Sequence, residues 1–409
     1  MASEQVVVGL DVGTTKICTL IGEVKGPRQV EVVGVGISPS RGLKKGLVVD
    51  MEEAAAAIAT SIRKAETFSG YKIIGGFVAV SGGHLDAEIA RGSLRLADDR
   101  PVSRQDLSQV LDAARLEEFT DGRHVLHVIP KGYVVDGENG VQNPLGMLAS
   151  SLEVQGLVVT SAVAPIQNLA KCVERAGIQI DGFVAAGLAS AHGVLSEAEK
   201  QLGVLLMDLG GGTSDLVWYR EGEVEYVGAL PFGGNYLTND LAMGLGVPFP
   251  GAEEMKVRFA CAVPDNVEED ESVDVGSFSG ERTRKVSRRF MAEIVEARLL
   301  EIFGMVKDVL EANGFDGVLP AGVVLTGGTA QLRGVRELAE QTFHVPVRVG
   351  PPDGLIGSVD SIGIPGYATG AGLLKWVLAQ SGDVAGSRQM RRQMGWGAKL
   401  RGFFRLFLP

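Results

Sequence analysis

The strongest constraint on how this chain can fold is an internal repeat. Residues 6–17 read VVVGLDVGTTKI, and residues 203–217 read GVLLMDLGGGTSDLV. Each is an apolar run, then Asp-x-Gly, then a small hydroxylated turn, then a second apolar run. Asp11 and Asp208 lie 197 positions apart. VEVVGVG at 30–36 and VEYVGAL at 224–230 are offset by 194, and VAVSGG at 78–83 and VVLTGG at 323–328 by 245. The chain therefore reads as two matched α/β halves that carry insertions at different places. One insertion follows VAVSGG, at about 84–161; the other precedes VLTGG, at about 231–310.

Periodicity fills in the elements. The first half predicts strands at 6–10, 17–24, 30–35 and 77–80, with a helix over 51–68 that ends at Gly70. The first insertion predicts strands near 85–96, 124–135 and 153–160. Its helix, about 104–118, opens on Ser103 with Asp106 three residues on, a capping-box pattern. A helix near 165–176, a strand at 178–184 and a helix at 188–199 follow. The second half predicts strands at 203–209, 215–220, 223–229 and 321–326. Its helices fall near 236–244, 284–312, 331–342 and 368–380, and the polar stretch 381–392 reads as a linker.

Charge separates the body from its end. The chain carries 39 Lys+Arg against 50 Asp+Glu, a net charge of -11. Residues 387–409 hold six of the bases and no acid, which leaves 33 bases against 50 acids before them, or -17. An acidic body argues against nucleic-acid binding, which wants a basic face. The three cysteines (Cys18, Cys172, Cys261) are far apart and suggest neither a disulfide framework nor a zinc site. No signal-peptide pattern and no long apolar run appear, so a soluble cytosolic α/β protein is expected.

The two Asp-Gly turns have a chemical use. Glycines let backbone N–H groups approach and cradle phosphate oxygens. Gly13 and Gly210, Gly211 and Gly212 can do so, Thr14, Thr15 and Thr213 add hydroxyls, and Lys16 adds a cation for a triphosphate. Asp11 and Asp208, facing each other across the cleft between halves, suit a hydrated Mg²⁺, which keeps waters and takes few direct carboxylates. Gly327 and Gly328 are placed to pass beneath an adenosine. Glu253 and Lys256, on a helix in the second insertion, can grip its ribose and base.

DVGTTK, DLGGGTSD, LTGGTAQL and YATGAGL resemble the two phosphate loops, the adenosine loop and the second connecting helix of the actin-like ATPases. More narrowly, SRGLKKGLVVD at 40–50, SGGH at 81–84, GGNYLTND at 233–240, the place of the first insertion and the tail resemble the FtsA family of bacterial cell-division proteins. The resemblance implies a duplicated, ribonuclease H-like two-domain ATPase fold that binds ATP and Mg²⁺, with Gly233 and Gly234 among the nucleotide contacts. It implies subdomain 1A over 1–83 and 162–199, an inserted 1C over 84–161, 2A over 200–230 and 304–380, and 2B over 231–303. A flexible linker over 381–394 and an amphipathic helix over 395–409 complete it. Many relatives place a Glu or Gln in the first connecting helix to orient the attacking water. Here that stretch, AAGLASAHGVL at 185–195, has neither. Asp208 and Asp215 remain to position water, so slow or conditional hydrolysis is expected.

The tail, GWGAKLRGFFRLFLP, gathers Trp396, Leu400, Phe403, Phe404 and Phe407 within about 100° of a helical wheel. Arg401 and Arg405 lie on the other side, and Lys399 at the edge. This is the pattern of an interfacial helix that binds anionic lipid. The resemblance further implies docking of the C-terminal peptide of the tubulin-like protein FtsZ on 2B, where a helix over 283–303 carries Arg284, Arg288, Arg289 and Arg298. It implies self-assembly into an actin-like filament, contacts of 1C with later division proteins, and a peripheral place on the cytoplasmic face of the cell membrane at the division site. The rival readings are a small-metabolite kinase of the same superfamily and a pilus or rod-shape actin homologue.

Overall fold

The computed structural model describes residues 5–26, 29–116, 123–276, 283–357 and 362–384. The first half opens on an antiparallel meander of β1 (Val6–Val12), β2 (Lys16–Gly26) and β3 (Gln29–Pro39), followed by a small hairpin of β4 (Leu43–Lys44) and β5 (Leu47–Val48). Helix α1 (Met51–Ser69) begins where the Asp50 carboxylate accepts the N–H groups of Glu52 and Glu53 at 3.0 Å, and it ends at Gly70, with φ of 76°. Its apolar positions Ala54, Ile58, Ile62 and Ala65 recur at helical spacing and are buried. Strand β6 (Gly75–Val80) then pairs parallel to β1.

The first insertion is a layer of its own. Strands β7 (Leu85–Pro101), β8 (Arg123–Val135), β9 (Glu138–Val141) and β10 (Leu148–Ala162) form a sheet in the order β7-β10-β8-β9. Helix α2 (Arg104–Leu116) packs on it around Leu96, Val110, Ala114, Tyr133 and Leu152. Its predicted capping box is present: the Ser103 N–H donates to Asp106 at 2.8 Å, and the Asp106 N–H donates to the Ser103 hydroxyl at 3.3 Å. Arg100 also grips Asp106 with two hydrogen bonds of 2.8 Å. The Arg100 and Ser103 contacts hold that carboxyl well below the usual range.

The chain returns through α3 (Val163–Arg175), β11 (Gln179–Ala185), α4 (Ala186–Val194) and α5 (Glu197–Leu202). A single helix over 188–199 was expected. Two form instead, because Leu195 is extended and Ser196 starts a new helix with a capping box to Glu199.

The second half repeats the first. It contains β12 (Val204–Leu209), β13 (Ser214–Arg220), β14 (Glu223–Leu230), and then the second insertion. That insertion comprises α6 (Gly234–Leu245), α7 (Phe249–Phe259), β15 (Ser272–Gly276), β16 (Thr283–Ser287) and α8 (Arg288–Ala312). Closing it are β17 (Val323–Thr326), α9 (Val335–Phe343) and β18 (Val347–Val349); the chain then returns to the first half, where β19 (Ile356–Gly357) pairs with β3 and α10 (Ala368–Val384) packs against α4, β1 and β2. The main sheets run β11-β6-β1-β2-β3-β19 and β18-β17-β12-β13-β14. Apart from the added edge strand β19, the two orders are the same once the repeat is applied. Every residue of β12 is buried, as a central strand covered on both faces requires.

Three further boundaries depart from expectation. The stretch 284–312 does not begin as helix: residues up to Ser287 pair with β15, and α8 starts at Arg288. Residues 329–331 form a single 3-10 turn, so α9 starts only at Val335, after Gly334 with φ of 76°. Helix α10 continues to Val384, four residues into the stretch read as linker. The rest of that linker and the whole of 395–409 lie outside the described residues. Among the described residues no helix is long and apolar enough to cross a membrane.

Candidate functional site: the cleft between the halves

A cleft of about 490 Å³ is lined by both Asp-Gly turns, a volume in the range of small-ligand sites. The turns are closed by the same bond. The Gly13 N–H donates to the Lys16 carbonyl at 3.1 Å, and the Gly210 N–H donates to the Thr213 carbonyl at 2.9 Å. The turns also interlock. A Cβ built on Gly211 would lie 1.9 Å from Thr15 Oγ1, and one built on Gly212 would lie 2.4 Å from Thr14 Oγ1. The threonines of one turn occupy the space that the glycines of the other leave open.

The start of α6 packs behind the second turn. The N–H groups of Gly234 and Asn235 donate to the carbonyls of Gly210 and Gly211 at 2.9 and 2.8 Å. Gly233 and Gly234 thus support the turn from behind. Gly327 has φ of 87°, and a Cβ there would lie 2.3 Å from Asp208 Oδ1 and 2.5 Å from the Leu209 carbonyl. Gly328 lines the cleft with nothing near its Cβ position. Glu253 and Lys256 also line it, on α7, and are joined to each other at 2.7 Å. Lys256 further donates to Thr238 Oγ1 at 2.9 Å and to the Gly234 carbonyl at 3.1 Å. The Lys16 ammonium donates to the Gly366 carbonyl and lies 4.0 Å from the centre of the Tyr367 ring.

Asp11, Asp208 and Asp215 meet at the turn end of this cleft with Lys16 among them. Burial pushes Asp11 up to about 7; Lys16 opposes the rise and Asp208 adds to it. Burial also raises Asp208, although Ser190 and Thr369 donate to its Oδ2 at 2.5 and 3.0 Å. Asp215 is raised well above the carboxylate range by burial and by Asp208. Its Oδ2 accepts from Ser81 at 2.7 Å, while its Oδ1 is buried with no partner. Among the described residues no group of three acids converges to hold an ion directly; buried acids facing one cleft suit a cation that keeps its water shell.

Ser81 lies in SGGH and Thr369 in YATGAGL, but sequence reasoning missed the role that these two and Ser190 play as partners of the carboxylates. One signal was available. Ser81 and Thr326 occupy the same position in the VAVSGG and VVLTGG echoes. As expected, α4 offers no carboxylate or amide to the cleft; Ser190 instead orients Asp208.

Arg284, Arg288, Arg289 and Arg298 of the second insertion each hold an internal partner. Arg284 is on strand β16, not on the helix, and donates to the Leu245 carbonyl. Arg288 pairs with Glu271 and donates to the Phe259 carbonyl at 3.0 and 3.2 Å. Arg289 meets Asp265 at 2.9 Å. Arg298 clasps Asp240 at 2.6 and 3.1 Å and also pairs with Glu301.

Residues 205–372 match the family profile described as "Cell division protein FtsA", and residues 82–160 match that of the "SHS2 domain inserted in FTSA". The "Cell division protein FtsA" of Pseudomonas aeruginosa is 42% identical over 381 residues, covering 93% of this chain and 91% of that protein. The chain belongs to the FtsA family. Its Escherichia coli K12 relative of the same description is 36% identical over 379 residues, covering 91% of this chain and 90% of that one. The FtsA-type insertion matched at 82–160 is the β7–β10 sheet with α2.

Solved structures show an actin-like fold at low identity. A PilM–PilN type IV pilus biogenesis complex aligns with TM-score 0.65 and 15% identity, over 91% of this chain and 98% of that one. MreB5 of Spiroplasma citri bound to ADP aligns with TM-score 0.57 and 13% identity, over 94% and 99%. The MamK double helical filament gives 0.53 and 13%, over 91% and 98%.

Proposed function

We propose that this FtsA-family chain binds ATP with Mg²⁺ in the cleft and tethers FtsZ filaments to the cytoplasmic face of the membrane at the division site. It does so while self-assembling and helping to recruit later division proteins. The observation that carries the nucleotide reading is the interlocked pair of turns, with backbone N–H groups, threonine hydroxyls and Lys16 around one cleft. Lys16 and the turn amides hold the phosphates; Glu253 and Lys256 hold the ribose and base; Gly327-Gly328 lies against the adenosine. Asp11 and Asp208 would hold Mg²⁺ through water, and the ion supplies charge neutralisation of the phosphates. Asp208 and Asp215, which line the cleft, orient water, and hydrolysis is slow because α4 carries no residue for that task.

The tail residues Trp396, Lys399, Leu400, Arg401, Phe403, Phe404, Arg405 and Phe407 attach the protein to anionic lipid. Each base contributes roughly 1 kcal/mol near the surface, so attachment is reversible. Deleting 395–409 abolishes co-sedimentation with anionic vesicles; retained binding refutes the anchor. The FtsZ peptide docks along α8, where its acidic groups compete with Asp240 for Arg298 and meet Arg284 and Arg288 at the margins. Arg298→Glu weakens peptide binding in fluorescence anisotropy, while binding of a fluorescent ATP analogue persists. Electron microscopy with ATP on an anionic lipid monolayer, with and without residues 395–409, tests assembly and anchoring together. A coupled assay over a sugar panel tests the kinase rival.

A further inference from the structure

The hairpin of β4 and β5, which holds the Lys44-Lys45-Gly46 signature, has no part in the reading above, yet it sits against the cleft. Gly46 has φ of 77°, and a Cβ on it would lie 2.0 Å from the Ser81 carbonyl. Its N–H reaches Thr14 Oγ1 of the first turn at 3.4 Å. Lys45, itself left-handed with φ of 52°, holds its ammonium 4.9 Å from the centre of the Tyr236 ring on α6. The hairpin thus presses on the backbone of Ser81 and touches elements of both halves.

Ser81 follows the last residue of the first half's β6, and its hydroxyl leaves that half. It donates to Asp215 Oδ2 at 2.7 Å and lies in hydrogen-bond contact with the Thr213 hydroxyl at 2.8 Å, both in the second half. The repeat makes this choice informative. At the equivalent position the Thr326 hydroxyl stays in its own neighbourhood and donates to the Gly350 carbonyl at 2.7 Å. Only the first-half copy spans the cleft. A hydroxyl that merely satisfied itself could use a local carbonyl, as Thr326 does.

We propose that Ser81 is a positioning residue that fixes the Asp215 carboxylate across the cleft, braced by the β4–β5 hairpin, so that Asp215 is set only while the two halves are closed on each other. The proposal rests on the nucleotide reading and deepens it. Asp215 keeps Oδ2 tied to Ser81, while Oδ1 is buried without a partner, so the bond from Ser81 is what sets the orientation of the carboxylate at the cleft lining. Opening of the halves breaks the Ser81 bond, because its donor and acceptor sit on opposite sides.

The test is the affinity of a fluorescent ATP analogue with Mg²⁺, measured at one fixed near-neutral pH on the full chain. Ser81→Ala is expected to bind about tenfold more weakly than the unmodified chain. Ser81→Thr, the residue the repeat uses at this position, restores the unmodified affinity. In an Asp215→Asn background, Ser81→Ala has no further effect. An affinity of Ser81→Ala equal to that of the unmodified chain, a failed rescue by threonine, or an effect that persists without the Asp215 carboxylate overturns the proposal and leaves the nucleotide reading standing. No binding by the unmodified chain overturns both.

Discussion

The two Asp-Gly turns began as copies and have become complementary. Both keep the aspartate and the closing bond from glycine N–H to a carbonyl three residues on. After that they diverge. The first turn carries bulk and charge in Thr14, Thr15 and Lys16; the second carries Gly210, Gly211 and Gly212. Where Thr15 projects, Gly211 recedes, and Thr14 meets Gly212 in the same way. Two identical threonine-rich turns would collide, and two glycine-rich turns would leave the cleft floor loose. The difference teaches that a duplicated site need not stay symmetric: one copy brings side chains and the other brings backbone.

This complementarity can be broken directly. Gly211→Val places a branched side chain where Thr15 already stands, an overpacking worth about 2–3 kcal/mol. Nucleotide affinity by isothermal titration should fall on the order of a hundredfold. Thr15→Gly in the same chain should recover part of that loss, although it is harmful alone. Simple additivity of the two changes would show that the turns do not share the space.

A smaller effect sharpens the asymmetry of charge. Lys16 and Thr213 hold equivalent places in the repeat, but only Lys16 is cationic. Lys16→Met should weaken nucleotide binding roughly ten- to hundredfold, with a shallower salt dependence, as expected on losing about 1.4–2.7 kcal/mol of charge-assisted contact. Thr213→Val should cost only a fewfold. Equal effects would argue that the two turns share the phosphates evenly.

The smallest expected effect concerns pH in the absence of nucleotide. The folded Asp11 carboxyl titrates at about 7, against 3.8 for an unperturbed aspartate. Between these values the folded chain keeps a proton that the unfolded chain has released. Stability therefore falls as pH rises through this window, and the loss is complete above it. Asp11→Asn removes that loss. Its melting midpoint, by differential scanning calorimetry without nucleotide or Mg²⁺, should exceed that of the unmodified chain by a few degrees at pH 8, and the gap should narrow steadily toward pH 4.5. A gap that widens on acidification reverses the sign and refutes the assignment.

Much of the frame was legible because it is local or repeated. Strand, Asp-Gly turn and strand lie within about a dozen consecutive residues, and the second copy marks the first as more than chance. Helix α1 was legible over 51–68 because its apolar spacing and its terminating Gly70 are contiguous; the Asp50 cap came from the structure. The split of α4 from α5 was written in Ser196 and Glu199, a capping box that the helical periodicity around it obscured. The strand β16 was not legible. Thr283 to Ser287 is short and charged, and its extended form depends on pairing with Ser272 to Gly276.

What the sequence by itself determined is the duplicated frame, the identity of the two turns, and the acidic body set against a basic, aromatic tail. These follow from composition and spacing, which the chain carries without folding. Only the tertiary structure decided which groups hold the carboxylates. Ser190 and Thr369, 179 positions apart, come within 3.0 Å of each other and both donate to Asp208, while Ser81 reaches Asp215 from the opposite half. Hydroxyls are short-range donors with no period or spacing to announce them. Their role exists only once closure of the two halves has removed water from the cleft and left each buried carboxylate in need of a partner.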